Sequence, residues 1–174
     1  MAGCSTPELA IAVSNAGGTG SLGAAMLTTN ELKTKCRWIR KRTNQPFNIN
    51  FFVHPKPTRN EAKEKQMQKL LLPFYKKLGV SDVPQAKDPP PPFGEKHLKI
   101  ILEENPGIIS FHFGLPNQDL VRALKQAGNI IISSATCVSE ALDLERRGVD
   151  AIIAQGFDAG GHRGTYQNGP ETGQ

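Results

Sequence analysis

Cysteine is scarce in this chain of 174 residues: Cys4, Cys36 and Cys137 are the only three. The odd number and the lack of a Cys-x-x-Cys pair argue against a disulfide framework and a structural zinc site. The N-terminus lacks the charged-then-apolar pattern of a secretory leader, so a reducing, cytoplasmic setting is expected. No apolar run approaches the roughly 20 residues of a membrane span, and no membrane partner is expected. Aromatic residues are only 6% of the chain. They do not alternate with the basic cluster Lys33, Lys35, Arg37, Arg40, Lys41 and Arg42, as a stacking surface for bases requires. The net charge of +5 is therefore read as a solvated helix face, with no nucleic-acid partner. His54, His97, His112 and His162 show no metal-ligand spacing with one another or with cysteine. No Gly-x-Ser-x-Gly elbow is present, and no cysteine stands beside an evident base.

Apolar residues make up 38% and charged residues 21%, ordinary for one globular domain with a core. The chain opens on the turn-like Met1–Pro7 and stops in a polar stretch, Gln167–Gln174. Those ends suggest a piece of a longer protein.

Thr6-Pro7 predicts a helix start, with a hydroxyl cap and then proline at the first helical position. A short strand is predicted from Gly20 to Ala24, then a helix capped by Thr29 or Asn30. Pro46 to Val53 alternates: Phe47, Ile49, Phe51 and Val53 on one side, Asn48, Asn50 and Phe52 on the other. Residues of about 54–96 break the rhythm and read as a helical insertion. There Thr58-Arg59-Asn60-Glu61 has the form of a capping box, and Pro73 should kink or restart a helix. Ile108-Ile109-Ser110-Phe111, Ile130-Ile131-Ile132 and Ala151-Ile152-Ile153 are nearly continuous apolar runs, as in parallel strands covered on both faces. Helices at about 117–127 and 137–147 lie between them, the second capped by Thr136. The pattern predicts an α/β fold. An incomplete TIM (β/α)8 barrel with about five parallel strands fits best, lacking its first and its C-terminal strands. An open doubly wound sheet is the second choice.

The most informative stretch follows the last of these runs. Gln155-Gly156-Phe157-Asp158-Ala159-Gly160-Gly161-His162-Arg163-Gly164 puts a histidine in a glycine-rich turn past the C-terminal end of a strand. Ligands bind at that end in α/β folds. Glycines let the backbone approach a flat ligand, and an imidazole exchanges a proton near neutral pH. The other strand ends also carry polar groups: Asn50, His112, and Ser133-Ser134. Asn50 is read either as a satisfied amide bonding nearby backbone or as a ligand contact. Gly18-Thr19-Gly20-Ser21-Leu22-Gly23 matches G-x-G-x-x-G. A helix precedes it and no acid follows at ribose distance, so it is read as a tight turn entering a strand rather than a dinucleotide site.

Several of these segments occur in the order seen in one enzyme family. They are Met1-Ala2-Gly3-Cys4-Ser5-Thr6-Pro7, Ser14-Asn15-Ala16-Gly17-Gly18-Thr19-Gly20, Asn50-Phe51-Phe52, Phe111-His112-Phe113-Gly114 and Ala154 through Gly164. In them the chain resembles the nitronate monooxygenases, FMN enzymes formerly called 2-nitropropane dioxygenases. The Ala-Gly-Gly-His turn also resembles that of flavin-type enoyl-acyl-carrier-protein reductases. The resemblance implies a TIM barrel with FMN at its C-terminal mouth. It implies contacts to FMN from Met1, Asn50, Gln155 and Gly160, with Gly17 and Gly18 nearby. It makes His162 the catalytic base or acid and puts His112 and Ser134 in the substrate pocket. The implied reaction oxidises an alkyl nitronate, such as propionate 3-nitronate, with O2 to a carbonyl compound and an oxidised nitrogen species. The alternatives are an NAD(P)H-dependent flavin reductase of enoyl-ACP or quinone type, or a non-catalytic barrel fragment. Gln155 leans against the enoyl reductases, which usually place an acid there. Cys4, Thr19 and Asp158 depart from the family's usual valine, leucine and glutamate.

Overall fold

The computed structural model describes residues 3–55, 58–85, 87 and 90–167. In chain order the first elements are α1 (Pro7–Asn15), β1 (Gly20–Gly23), α2 (Thr29–Arg40), β2 (Phe47–Phe52) and α3 (Glu61–Lys77). They are followed by α4 (Glu95–Glu104), β3 (Gly107–His112), α5 (Gln118–Gln126), β4 (Ile130–Ala135), α6 (Val138–Arg146) and β5 (Ala151–Ala154).

Local chemistry sets the helix starts. The Thr6 side chain accepts from the Leu9 N–H at 3.2 Å, and Pro7 occupies a position that needs no N–H donor. Thr28 caps α2, rather than Thr29 or Asn30. Glu31 returns its carboxylate to the Thr28 N–H at 2.8 Å and completes a capping box. Asn117 caps α5 by accepting from Leu120 at 2.9 Å. Thr136 does not cap α6. Its N–H and hydroxyl both turn to the Glu140 carboxylate, and Cys137 takes the cap position.

The five strands are all parallel and lie in the order β1-β2-β3-β4-β5. A doubly wound sheet must reverse its strand order at a switch point. This order never reverses, which is the winding of a barrel wall. The fold is α/β, with five consecutive strands of a TIM barrel that does not close among the described residues.

Alternation in β2 assigns the two faces of the sheet. Phe47, Ile49 and Phe51 are buried, while Asn48, Asn50 and Phe52 are half-buried. The buried side joins Leu22, Ile109, Phe111 and Ile131 to Ala10, Leu32, Cys36, Ile39, Ile101, Leu124 and Leu144 of the helices, forming the core. β5 departs from the buried strand expected at 151–153. It is exposed throughout, with Ile153 at 53%, because it has a neighbour on one side only among the described residues.

Lys56–Pro89 forms a compact unit of its own. Asn60, not Thr58, caps its helix α3 by accepting from Lys63 at 3.0 Å. The helix continues through Pro73, and none of its residues is buried. No helix among the described residues is long and apolar enough to cross a membrane.

Candidate functional site

Strand register brings the polar strand ends together. Asn50 pairs with Ser110, Phe52 with His112, Ser110 with Ile132 and Ser134 with Ile153. Partners in a parallel ladder share a face, and side chains two apart share it again. Asn50, His112 and Ser134 therefore stand on one face, toward the C-terminal ends of their strands, with Gln155 just past β5.

The glycine-rich turn folds back onto this rim. Its anchor is the backbone carbonyl of His162, which accepts from His112 Nε2 at 2.9 Å and from Gln155 Nε2 at 2.9 Å. The Gln155 oxygen accepts from the Gly164 N–H at 2.7 Å. Both ends of the Gln155 amide thus hold the turn. A carbonyl can only accept, so His112 carries its proton on Nε2. In the neutral ring Nδ1 is then an acceptor, and the Ser134 hydroxyl donates to it at 2.6 Å. Burial pushes the His112 pKa down and favours this neutral form. The bond to the His162 carbonyl opposes the shift, and the neighbouring His162 adds to it. Gly164 lies across the pair so closely that a Cβ there would stand 2.6 Å from His112 Cε1 and 2.8 Å from Ser134 Oγ.

The His162 imidazole is exposed and meets two aromatic rings edge-on, Phe52 at 5.9 Å and Phe113 at 6.3 Å between centroids. Phe113 also contacts His112 at 4.5 Å and His54 at 6.1 Å. It holds this central place with a φ of 69°, a left-handed conformation that is strained for an aromatic residue. His54 Nδ1 is buried without a hydrogen-bond partner among the described residues.

The segment beyond the turn is tied to α6. Glu140 is fully buried and accepts from the N–H groups of Thr136, Tyr166 and Gln167 and from the Thr136 hydroxyl. Burial opposes its charge, but these donors outweigh burial and hold the carboxyl below its usual pKa. Upstream, Ser5 Oγ accepts from the Gly23 N–H at 2.9 Å, which brings the segment before α1 to the same end of the sheet.

The whole chain, residues 1–174, matches the nitronate monooxygenase family. It belongs to that family. A nitronate monooxygenase of Paraburkholderia phytofirmans is 45% identical over 168 residues, which are 95% of this chain and 46% of that protein. The nitroalkane oxidase of Streptomyces ansochromogenes superposes with a TM-score of 0.85 at 31% identity, over 98% of this chain and 48% of that one. FabK of Thermotoga maritima superposes with a TM-score of 0.65 at 28% identity, over 95% of this chain and 42% of that one. The chain spans about half the length of the curated relatives it matches. Nitronate monooxygenases are oxidoreductases.

His112, Ser134, Gln155 and His162 converge through direct bonds, and Gly160 lies in the turn that His162 ends. Asn50 shares the rim face, where its amide nitrogen donates to Ser110 Oγ at 2.9 Å. Met1 lies outside the described residues. Gly17 and Gly18 do not join the rim. They precede Gly20, which pairs with Phe47 where β1 and β2 begin, so they sit at the opposite end of the sheet. The alternative reading of that motif as a turn entering a strand agrees with this placement. Sequence reasoning missed Phe113, His54, Glu140 and Tyr166. Adjacent positive-φ residues at Phe113-Gly114 leave only the glycine as a trace in the sequence.

Proposed function

We propose that this chain supplies the His162 rim of a flavoenzyme that oxidises alkyl nitronates, such as propionate 3-nitronate, with O2 to a carbonyl compound and an oxidised nitrogen species. Family membership implies a flavin, and we propose FMN. The residues present suit such a group. A Cβ at Gly156, Gly160 or Gly161 would meet no atom within 4 Å, so the turn offers open backbone to a flat ring. The flavin, when bound, accepts the electrons of the oxidation.

The chain's own residues handle placement and protons. Gln155 and His112 fix the His162 backbone from two sides, which leaves its imidazole as the free proton-exchanging group of the turn. In its neutral form that ring takes the α-proton of a nitroalkane. In its protonated form it donates to a nitronate oxygen in a charge-assisted hydrogen bond. Both ring nitrogens of His112 are engaged, so it acts by holding the turn rather than by exchanging protons. Phe52 and Phe113 give the alkyl part of the substrate an apolar wall. Asn50 and the backbone at Gly160 are assigned to FMN.

The observation that carries this reading is the doubly held His162 carbonyl, which sets the imidazole against Phe52 and Phe113 at the strand ends. The test uses the protein at the full length of its relatives. His162→Ala should lower turnover of the neutral nitroalkane by about 10²–10⁴-fold, the usual contribution of a proton-transfer group, and should also slow turnover of the nitronate, which loses its hydrogen-bond donor. Unchanged turnover would end the assignment.

The likeness to FabK supports a second reading, a flavin reductase fed by NAD(P)H. Gln155 favours the first. A carboxylate in its place would have no N–H for the His162 carbonyl and would repel it. Flavin bleaching under anaerobic NADH, without bleaching by propionate 3-nitronate, would favour the second.

A further inference from the structure

We propose that Glu140 is a positioning residue for His162: its buried carboxylate holds the segment after the glycine-rich turn and so sets where the imidazole meets the rim. The inference rests on the reading of His162 above and deepens it. Glu140 is 0% exposed, and its two oxygens face different elements. Oε2 accepts from the Thr136 N–H at 2.7 Å and from the Thr136 hydroxyl at 2.9 Å, at the start of α6. Oε1 accepts from the N–H groups of Tyr166 at 2.7 Å and Gln167 at 3.2 Å. A residue that served only the helix start would need Oε2 alone. The second oxygen instead reaches the segment that follows the turn.

The turn needs this support. Its internal backbone bond, Ala159 N–H to Gly156 O, is long at 3.3 Å. It enters from the end of β5, where the Gln155 N–H donates to Ala135 O at 2.9 Å. It leaves at Thr165–Gln167. The Thr165 hydroxyl meets the Thr136 hydroxyl at 2.9 Å, and the Tyr166 hydroxyl donates to Glu140 O at 3.0 Å and to Asp143 at 3.1 Å. The Tyr166 ring packs so tightly under Gly114 that a Cβ there would stand 3.1 Å from it. Glu140 therefore ties the exit of the turn to the ends of β3 and β4, the strands that carry His112 and Ser134. Releasing Oε1 removes the backbone anchors at Tyr166 and Gln167 and leaves the exit of the turn to the Thr165 and Tyr166 side chains.

The test compares the chain with its Glu140→Gln variant by amide hydrogen exchange and by the NMR signal of the His162 ring. Glutamine keeps the size but replaces one acceptor with an NH2 group. The expected result is at least tenfold faster exchange at Tyr166 and Gln167, a shifted His162 ring resonance, and unchanged exchange at Ile49 and Ile109 in the sheet. Glu140→Asp should restore part of the protection. Unchanged Tyr166, Gln167 and His162 signals would overturn the proposal. So would equal acceleration at all four amides, which would mean that Glu140 serves general stability. If the variant does not fold, acid titration of the unaltered chain decides. The Tyr166 and Gln167 amides and the His162 ring should show a step at the midpoint of the Glu140 carboxyl carbon; a His162 ring without that step would overturn the proposal. FMN titration separates the two readings: a released turn with unchanged FMN affinity leaves the clamp standing and contradicts the flavin role of the turn.

Discussion

His112 shows how one residue couples the fold to the site. Its Nε2–H donates to the His162 carbonyl, and its Nδ1 accepts from the Ser134 hydroxyl. Burial lowers its pKa, and burial does the same to His97, which is stacked on Phe93. Both imidazoles therefore bind a proton less readily in the folded chain than in the unfolded one. As pH falls through the ordinary histidine range, near 6.5, the unfolded chain takes up these protons first. The stabilisation is present above that range and is lost on the way down toward the folded pKa values. Urea midpoints should fall from pH 7.5 to pH 5.5, and a rising midpoint would contradict the assignment. Gly164→Ala should cost about 1–3 kcal/mol, because its Cβ would press on the His112–Ser134 pair; urea denaturation measures it. At this scale the sequence was partly legible. His112, Ser134, Gln155 and His162 announce themselves as polar groups after apolar strands. Glu140 does not, because a glutamate in the first turn of a helix is ordinary, and its second oxygen finds Tyr166 only after the chain has folded back. Cys36 shows the opposite case: burial, with Glu104 adding to it, pushes its thiol up to about 12, which suits a packing residue.

Elements were more legible than their boundaries. Continuous apolar runs identified β3 and β4, and alternation in β2 assigned its faces, because burial imposes those patterns directly. Helix starts shifted by a residue or two where several capping residues lie in a row. At Thr28-Thr29-Asn30 the sequence offers three caps, and Glu31 selects Thr28 by reaching back to it. β1 depends on a glycine for another reason. A Cβ at Gly20 would overlap the backbone carbonyl of Ala10, and the Gly20 N–H donates to Ser14 Oγ at 3.1 Å. Helix α1 rests directly on the strand there. Backbone cannot yield as a flexible side chain would, so Gly20→Ala should destabilise the fold by about 3 kcal/mol. A loss under about 0.5 kcal/mol in urea denaturation would show that α1 is free to move.

For the molecule as a whole, strand order identifies the barrel wall, and exposure marks where that wall is uncovered. Ile152 at 37% and Ile153 at 53% exposure lie on β5, and Leu142 at 52% and Val138 at 75% lie on α6. An exposed strand with a free edge and apolar side chains is a template for pairing with another chain. The 174-residue chain should associate with rising concentration in sizing chromatography, and Ile153→Lys should reduce that association. A monomer at all concentrations would contradict this. Ala151-Ile152-Ile153 by itself looks like any covered strand, and only the expected lack of the C-terminal barrel strands points to an exposed edge there. Gly17 and Gly18, which the family resemblance puts near the cofactor, lie just before the start of β1.

The central claim is that Asn50, Gln155, Gly160 and His162 gather around one flat ring. Titration of FMN, to millimolar concentration, into the isotope-labelled chain tests it most directly. Saturable NMR shifts at Asn50, Gln155, Gly160 and the His162 ring, with Gly17, Gly18 and Lys33 unmoved, are the predicted result. Shifts centred on Gly17 and Gly18, or no saturable shift at His162, would contradict it.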